Sequence, residues 1–457
     1  MATFYIEQFG CRATQADGAA IERQLRERGC IAAAGTQSAD FVVLNTCTVT
    51  AAADAQARDA IRKIHAANPS TRIIVTGCYA QRAPEEIAAL PGVTHVVGNS
   101  HKPQIPNLLQ SISSAPLTQM EEPVPYHAAP ILSGDIFALS DVLVAPVIGG
   151  EGNHTRPILK IQDGCNARCS FCVIPFVRGK SRSLPAAAVL AELQSLADSG
   201  FREIVLSGIN LGTYGRDLSP RVEFLELLQR ILEETSVERL RISSIEPLDV
   251  TQDLIDLFAS SDRIAPHFHM PLQSACNRIL AAMHRWYRAE HYARRIELIR
   301  ERLPHAAIGA DVITGFPSET EEEHSATLRF IEERPFSYLH VFSYSLRPGT
   351  RAASLPGHVP GAVIKRRARE LRALGEAKSA EFRQSQVGRT LRVLTLHRDP
   401  KDDPSQTPAL SENYLSVLVP QALPHNQWLA VSAAHLEGKN MIALPLETAL
   451  THAAGVV

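Results

Sequence analysis

Between residues 158 and 342 the chain repeats one pattern, in which a short apolar run is followed by a longer stretch with helical character. Short apolar runs bounded by turn residues predict strands, and strands that alternate with helices predict parallel βα units. Six successive units predict a partial (β/α)6 barrel of the TIM type, whose functional groups come from the carboxyl ends of its strands. The predicted strands are 158–162, 204–207, 240–244, 267–270, 308–313 and 339–342.

One further domain is predicted before the barrel in the sequence and one after it. The predicted fold class is α/β, with a small all-β domain at the C-terminus. Runs at 4–7, 41–44, 73–76 and 96–97 alternate with Ala- and Arg-rich stretches and predict a Rossmann-like parallel sheet over residues 1–115. Residues 116–154 hold several prolines and a Gly-Gly pair, which predicts a linker before the barrel domain at 155–380. Runs at 391–396, 415–419, 428–432 and 441–444 predict a small β-barrel within 381–450.

Bulk composition narrows the functional classes. With 457 residues, 45% of them hydrophobic and 21% charged, the chain is expected to be a globular protein of several domains. We expect no membrane association and a cytoplasmic location, because neither a signal peptide nor a long apolar run is present. A net charge of -2 excludes a global basic field, so any contact with nucleic acid must be local.

The chain has eight cysteines, too few for a disulfide framework in a chain of this length, and their spacing suggests metal ligands. Cys165, Cys169 and Cys172 form a CxxxCxxC loop directly after the first predicted barrel strand. Three thiolates can hold three irons of a 4Fe-4S cluster and leave the fourth iron open. S-adenosylmethionine (SAM) could bind there through its amino and carboxylate groups, and an electron from the cluster would cleave its carbon–sulfur bond.

A zinc site is the alternative reading of this loop, as is a set of unrelated core cysteines. Structural zinc needs a fourth ligand, and the neighbouring residues offer no obvious candidate. The iron–sulfur interpretation is therefore favoured.

Three further cysteines, Cys11, Cys47 and Cys78, each follow a predicted strand of the first domain. Loops at the carboxyl ends of parallel strands converge on one crevice, so these thiols are expected to meet and could hold a second cluster. Gly10 and Gly77 would let the backbone turn closely around it. Scattered cysteines are often only packing residues, which is how we interpret Cys30 and Cys276.

Long stretches around these cysteines are those of a known family. They are NTCTVT at 45–50, TGCYAQ at 76–81 and GCNARCSFCVIPFVRGKSRS at 164–183. On them, the chain resembles the radical SAM methylthiotransferases over nearly its whole length. The resemblance implies that Cys165, Cys169 and Cys172 bind the catalytic cluster that cleaves SAM. It also implies that Cys11, Cys47 and Cys78 bind an auxiliary cluster that supports or donates sulfur.

The resemblance and the predicted strand ends together suggest SAM ligands. Phe171 occupies the position of a family aromatic that lies against the adenine. Polar side chains that end the second and third barrel strands are candidates for the amine, carboxylate or ribose: Ser207, Asn210, Ser244 and Glu246. Such residues can equally cap helices or satisfy loops. Arg178 could pair with a carboxylate or an RNA phosphate, or it could simply be solvated.

The terminal segment resembles a TRAM domain, a small RNA-binding barrel, with SENY at 411–414 in a recognisable place. This copy is poor in Lys and Arg, so the helix that bears Lys365, Arg366, Arg367, Arg369 and Arg372 could supply phosphate contacts. A charged helix face can also be only solvated. Two features depart from the family: Thr14 and Asp17 replace an Asn and a Glu of many relatives, and 399–408 looks like an extended insertion.

The resemblance implies methylthiolation of C2 in a tRNA adenosine beside the anticodon, with N6-threonylcarbamoyladenosine favoured. N6-isopentenyladenosine and a ribosomal-protein aspartate are alternatives within the family. An iron–sulfur electron carrier or RNA-binding scaffold is an alternative of another class, although electron carriers usually saturate their irons with four protein ligands. The expected partners are the tRNA anticodon loop, an electron-donating reductase and a sulfur donor.

Overall fold

The computed structural model describes residues 2–114, 128–143, 145–146 and 155–446. The predicted order of domains is observed: a parallel sheet, a partial barrel and a closed β-barrel. Predictions for 115–127, 144, 147–154 and 447–450 lie outside the described residues. Among the described helices we find none with the length and apolar character needed to cross a bilayer.

The N-terminal domain is a six-stranded parallel sheet in the order β2-β1-β3-β4-β5-β6. Helices cover both faces, which is why the central strands are almost continuously apolar. Its strands are β1 (Thr3–Gln8), β2 (Ile31–Ala32), β3 (Phe41–Thr46), β4 (Arg72–Gly77), β5 (Val93–Gly98) and β6 (Ile131–Leu132). Its helices are α1 (Arg12–Glu27), α2 (Ala51–Ala67), α3 (Cys78–Arg82), α4 (Pro84–Ala88) and α5 (Ile105–Ser114), with a 3-10 helix at Asn99–Gln104.

The predicted linker at 116–154 is not wholly a linker. Its β6 pairs in parallel with β5 and completes the sheet edge. A run of two paired residues gives no periodic signal, so the pattern could not reveal it.

The central domain contains the six predicted barrel strands in two parallel sheets, β7-β10-β11 and β12-β13-β14. The two sheets are connected by a bridge between Leu240 and Ile264 and by a hydrogen bond from the Ile245 N–H to the His269 carbonyl. The six strands are β7 (Ile158–Lys160), β10 (Glu203–Ser207), β11 (Arg239–Ile242), β12 (His267–His269), β13 (Ala307–Thr314) and β14 (Tyr338–Ser343). The predicted strand 158–162 is split, because Gln162–Asp163 (β8) leaves the barrel to pair antiparallel with Arg182–Ser183 (β9).

The barrel helices pack around these strands. They are α6 (Ile174–Arg178), α7 (Ala186–Asp198), α8 (Phe224–Glu234), α9 (Gln252–Ser260), α10 (Asn277–Ala282), α11 (Ala289–Arg302), α12 (Glu321–Glu332) and α13 (Gly361–Gln384). Helix α1 of the N-terminal domain lies on the other side of β7 and β10, where Ala16 and Ala19 pack against Ile158 and Val205. The small alanine side chains allow this close approach, so the first domain covers part of the barrel lumen.

The C-terminal domain is a closed barrel in the order β15-β16-β17-β19-β18. Its strands are β15 (Thr390–Thr395), β16 (Thr407–Ser411), β17 (Ser416–Val419), β18 (Trp428–Glu437) and β19 (Asn440–Pro445). The segment 399–408 was expected to be an insertion unlike a compact barrel. Its last two residues instead begin β16, a strand that the sequence pattern missed, and only the residues before Thr407 form a loop.

The turn between β16 and β17 docks this domain onto the amino ends of the barrel strands. Arg241 donates hydrogen bonds to the carbonyls of Ser411 and Glu412, each over 3.1 Å. The Tyr414 ring stacks on His267, with ring centres 4.2 Å apart. The predicted SENY segment is therefore an interdomain contact at the end of the barrel opposite its mouth.

Candidate functional site

The three dispersed cysteines meet at the carboxyl edge of the N-terminal sheet. Cys11 is the N-cap of α1 after β1, Cys47 follows β3, and Cys78 follows β4 as the first residue of α3. Burial raises the pKa of the Cys47 thiol to about 12, and Cys78 and Cys11 add to this because they are close enough to repel its thiolate. The predicted convergence of these thiols is thus observed.

Two glycines permit this approach. Gly10 has φ of +105°, and a Cβ atom there would fall 2.5 Å from Cys47 Cβ. Gly77 has φ of +101°, and its Cβ would overlap the carbonyl oxygen of Thr46. Asn99 Nδ2 lies 3.5 Å from Cys78 Sγ and can donate to it, which would stabilise a thiolate at this position.

The CxxxCxxC loop forms a second set of three thiols at the mouth of the barrel. Burial first, and then the neighbouring Cys169 thiol, raises the pKa of Cys172 to about 12. Burial also raises the pKa of Cys165, while hydrogen bonds from the Ala167 backbone and the Asn210 side chain act in the opposite direction. The Cys165 and Cys172 thiols thus favour the protonated, neutral form until a cation replaces the protons, which is the chemistry of metal ligands.

Arg285 supports this loop, although no sequence motif singled it out. Its Nη1 donates to Cys169 Sγ over 3.3 Å, and its Nη2 forms an ion pair with Glu246. Burial raises the pKa of Glu246, whereas the charge of Arg285 acts to lower it. Glu246 therefore orients the guanidinium against the cluster loop.

A cavity of about 190 Å³ lies between the catalytic cysteine loop and the segment that follows Cys47. Val49 and Thr50, just after Cys47, line one side, and Phe171 and Cys172 line the other. Its remaining lining comes from strand ends of the barrel: Val173, Ile174, Gln273, Asp311, Ile313, Phe342, Ser343, Tyr344 and Ser345. Cys172 therefore borders this space directly, and the N-terminal domain reaches it through Val49 and Thr50.

The other predicted SAM ligands lie around the loop in different environments. Ser207 is buried at the end of β10, and Ser244 is half-buried after β11. The backbone N–H of Asn210 donates to Gln162 Oε1 over 2.8 Å, while its Oδ1 atom is buried without a hydrogen-bond partner. An orphaned polar atom beside Cys165 suits a ligand group, so Asn210 is the best supported of these candidates.

Arg178 has a different environment from the one expected of a SAM ligand. It is 2% exposed, and its guanidinium donates to both oxygens of Asp163 and to Asp17 of α1. Lys102 and Lys160 also pair with Asp17. Burial would raise the pKa of Asp17, but these three cations hold it well below its ordinary value. Arg178 thus pairs with carboxylates of the protein, at the interface of two domains.

A polar group on the lumen wall was not predicted from the sequence. Asp311 Oδ1 lies 2.9 Å from His269 Nε2 and 3.2 Å from His340 Nδ1. Burial would raise the pKa of Asp311, but the hydrogen bonds from both rings hold it well below its ordinary range. These ligand atoms lie within 4.8 Å of one another and could hold a cation, although both rings already pair with the same carboxylate oxygen, Oδ1.

The basic helix α13 is only partly available to RNA. Arg366 pairs with Glu321 and Glu370, and Arg367 is buried against Glu319. Three of the predicted residues are exposed: Lys365, Arg369 and Arg372. They are spaced by four and three positions and share one face of the helix.

Comparisons with known proteins agree with this arrangement. The family described as "Uncharacterized protein family UPF0004" matches residues 3–98, and the radical SAM superfamily matches residues 159–331. A threonylcarbamoyladenosine tRNA methylthiotransferase of Aquifex aeolicus is 37% identical over 412 residues, covering 90% of this chain and 95% of that protein. The chain belongs to the radical SAM methylthiotransferases.

Other relatives of this methylthiotransferase have two different names. A Bacillus subtilis protein, also named threonylcarbamoyladenosine tRNA methylthiotransferase, is 38% identical over 86% of this chain and 85% of its own length. An Arthrobacter tRNA-2-methylthio-N(6)-dimethylallyladenosine synthase is 35% identical over 86% of this chain and 73% of its own. The family is therefore clear, whereas the substrate is not fixed by the names.

Among solved structures, the radical SAM methyltransferase TsrM from Kitasatospora setae superposes with a TM-score of 0.55 at 15% identity. The match covers 77% of each chain and shows the shared fold. The methylthiotransferase uses SAM and 4Fe-4S clusters as cofactors. Its residues fit them, because each of the two sets offers three converging thiols rather than four.

Proposed function

We propose that the enzyme methylthiolates C2 of N6-threonylcarbamoyladenosine beside the anticodon of tRNA. The observation that carries this proposal is the shared cavity, which is lined by Cys172 on one side and by the residues that follow Cys47 on the other. A base in that space would lie next to Cys172 and next to the segment that follows Cys47. Two of the relatives with the greatest coverage are named for this modified nucleoside, which supports it over the isopentenyl analogue.

Different residues of the chain would bind the two clusters and SAM. Cys165, Cys169 and Cys172 would hold the catalytic cluster, and Cys11, Cys47 and Cys78 would hold the auxiliary one. When bound, the first cluster supplies the electron that cleaves SAM, and the second supports or supplies the sulfur. Asn210 contacts Cys165, and Glu246 pairs with Arg285, which donates to Cys169. We propose that Asn210 binds SAM through its free Oδ1 atom, while Glu246 orients Arg285.

The RNA must present a single base to the cavity. Bases of an anticodon loop are already unpaired, so moving one out of its stack costs only modest free energy. We propose that the exposed face of α13 contacts the phosphates, with Lys365, Arg369 and Arg372 as the cations. A reductase and a sulfur donor are needed as partners.

Mass spectrometry of tRNA nucleosides tests the proposal, in cells with the gene and in cells from which it has been deleted. We expect the deletion to remove 2-methylthio-N6-threonylcarbamoyladenosine alone, and the gene in trans to restore it. Loss of the isopentenyl analogue would instead assign the other tRNA substrate. If no methylthio nucleoside changed, RNA would not be the substrate, and the ribosomal-protein aspartate would be tested next.

A further inference from the structure

The side chains on the lumen face of β14 change from polar to apolar toward the mouth of the barrel. Leu339 and Val341 pack against the apolar core between strands and helices. Because successive side chains of a strand point to opposite faces, Tyr338, His340 and Phe342 face the lumen. Phe342 lines the mouth cavity, and His340 lies one repeat deeper, about 7 Å along the strand.

His340 is held in place through only one of its two ring nitrogens. Its Nδ1 atom faces the ionised Asp311, and Asp311 is fixed in turn by His269 on the neighbouring strand. The Tyr338 hydroxyl lies 3.0 Å from the other nitrogen of His269, so the group is anchored from the closed end of the lumen. This arrangement fixes the orientation of the His340 ring and leaves its second nitrogen available.

The second ring nitrogen of His340, Nε2, has no hydrogen-bond partner within the part of the chain that the structure describes. The side chain is 57% exposed, which is unusual for a residue whose strand neighbours are packed. A neutral ring presents an acceptor at this atom, and a protonated ring presents a donor. His340 Nε2 is therefore a free and oriented polar atom on the lumen wall near the mouth cavity.

We propose that His340, oriented by Asp311, forms a subsite that binds the polar N6 substituent of the substrate adenosine. The inference rests on the proposed function and assigns its specificity. A threonylcarbamoyl group carries an N–H, a hydroxyl and a carboxylate, each of which can pair with Nε2. An isopentenyl group carries only carbon and hydrogen at this position, so it cannot.

The enzyme can discriminate between the two substituents because only one of them gives His340 Nε2 a hydrogen-bond partner. A hydrocarbon would displace water from Nε2 and offer no hydrogen bond in return, and leaving a polar group unsatisfied is costly. Sites that are built to hydrogen-bond a substrate reject the analogue that lacks the partner. We expect this subsite to contribute a preference on the order of tenfold to a hundredfold.

The test uses the full chain with both clusters and two anticodon stem-loops that differ only in the N6 group of the target adenosine. Competition gives the ratio of kcat/KM for the two RNAs, and fluorescence anisotropy without SAM gives the ratio of their Kd values. His340→Phe should lower both ratios by tenfold or more. His340→Gln, whose amide can still hydrogen-bond, should retain more of the preference.

His435→Phe is a matched control. His435 has the same side-chain exposure of 57% and also pairs with a carboxylate, Glu437, but it lies in the terminal barrel. It should leave both ratios unchanged. If His340→Phe retained its clusters, judged by iron content, and kept both ratios, the subsite would be overturned while the proposed function stood.

Equal losses in the Phe and Gln variants would also overturn the subsite, because ring shape rather than hydrogen bonding would then decide. If the unaltered enzyme acted on the isopentenyl RNA alone, the proposed function itself would fail. The two failures can be told apart. Failure of the proposed function is seen in the unaltered enzyme, whereas failure of the subsite is seen only in the His340 variants.

Discussion

Arg178, in the segment that follows the catalytic cysteine loop, donates a hydrogen bond over 3.0 Å to Asp17 of the N-terminal domain. Both side chains are 2% exposed. Lys102 and Lys160 complete the charges around Asp17, one from each domain. Because Asp17 belongs to the same helix that begins after Cys11, this buried network sets the position of one cysteine set relative to the other.

Asp17→Asn should therefore loosen the domain interface. The substitution leaves buried cations without their counter-charge, which is expected to destabilise the protein by about 3–5 kcal/mol. We expect a lower midpoint of thermal unfolding for the apoprotein. Asp59→Asn is the matched control, since Asp59 pairs with Arg62 on the surface, where such pairs contribute little. Equal shifts in the two variants would contradict the role of the network.

Glu203 predicts a defined dependence of stability on pH. It is fully buried, which acts to raise its pKa, but Arg241, Arg156 and Arg239 lower it from 4.5 to about 2. A carboxylate with a depressed pKa contributes stability above its unfolded pKa and loses it as the pH falls through the folded value. The contribution should be complete above pH 4.5 and fade between pH 4.5 and 2.

Denaturant titrations at several pH values would measure this effect. Glu203→Gln should be less stable than the unaltered chain at pH 6, and the difference should shrink as the pH approaches 2. Glu234→Gln serves as the control, because that carboxylate is exposed to solvent and pairs with Arg230 on the helix surface. A difference that stayed constant down to pH 2 would show that Glu203 is not ionised in the folded protein.

Cys169→Ala tests the division of labour between the cysteine sets. It should abolish reductive cleavage of SAM and remove about four irons per chain, while the auxiliary set keeps its cluster. Cys276→Ala is the control, since that thiol donates to Glu323 and lies outside both sets. Retained cleavage in a reconstituted Cys169→Ala protein would contradict the assignment of the catalytic loop.

Trp286 predicts a stacking contact with RNA. It is 79% exposed and directly follows Arg285, which contacts Cys169, so it lies at the rim of the barrel mouth. An unpaired base stacked on an aromatic ring contributes about 1–3 kcal/mol. Trp286→Ala should weaken binding of an anticodon stem-loop by roughly tenfold.

Tryptophan fluorescence can detect this contact directly, because the chain has only two tryptophans. The other, Trp428 of the terminal barrel, packs against Arg239 of the central barrel and Arg392 of its own domain. In a Trp428→Phe background, the added RNA should quench the remaining emission. Unchanged emission at saturating RNA would place the bound strand elsewhere.

Local patterns predicted the fold well because short apolar runs mark most strands of both α/β domains and helix-like stretches separate them. The cysteines followed from the same logic, since a residue placed just after a strand must lie at the sheet edge. Strand β16 was missed because Pro408 interrupts an otherwise weak run. The two-residue strand β6 had no period to detect.

The polar part of the site was harder to predict than the cysteines. From the sequence, Arg178 could be an unpaired cation available to a ligand. Its sequence neighbours do not show that Asp17 and Asp163, on two other elements, pair with it. Arg285 and His340 lie in segments without a motif. The role of each depends on contact with a partner more than 25 residues away in the sequence. Charge pairing across domains depends on tertiary packing, which a one-dimensional pattern does not encode.

The docking of the turn at Ser411 and Glu412 onto Arg241 limits the shape of the RNA that the enzyme can hold. The terminal barrel is fixed at the closed end of the central barrel, about 20 Å of strand length away from the open end. An RNA that touches both ends must pass along the flank of the enzyme. A substrate in contact with the mouth and with the terminal barrel at once would therefore have to span the whole length of the central barrel.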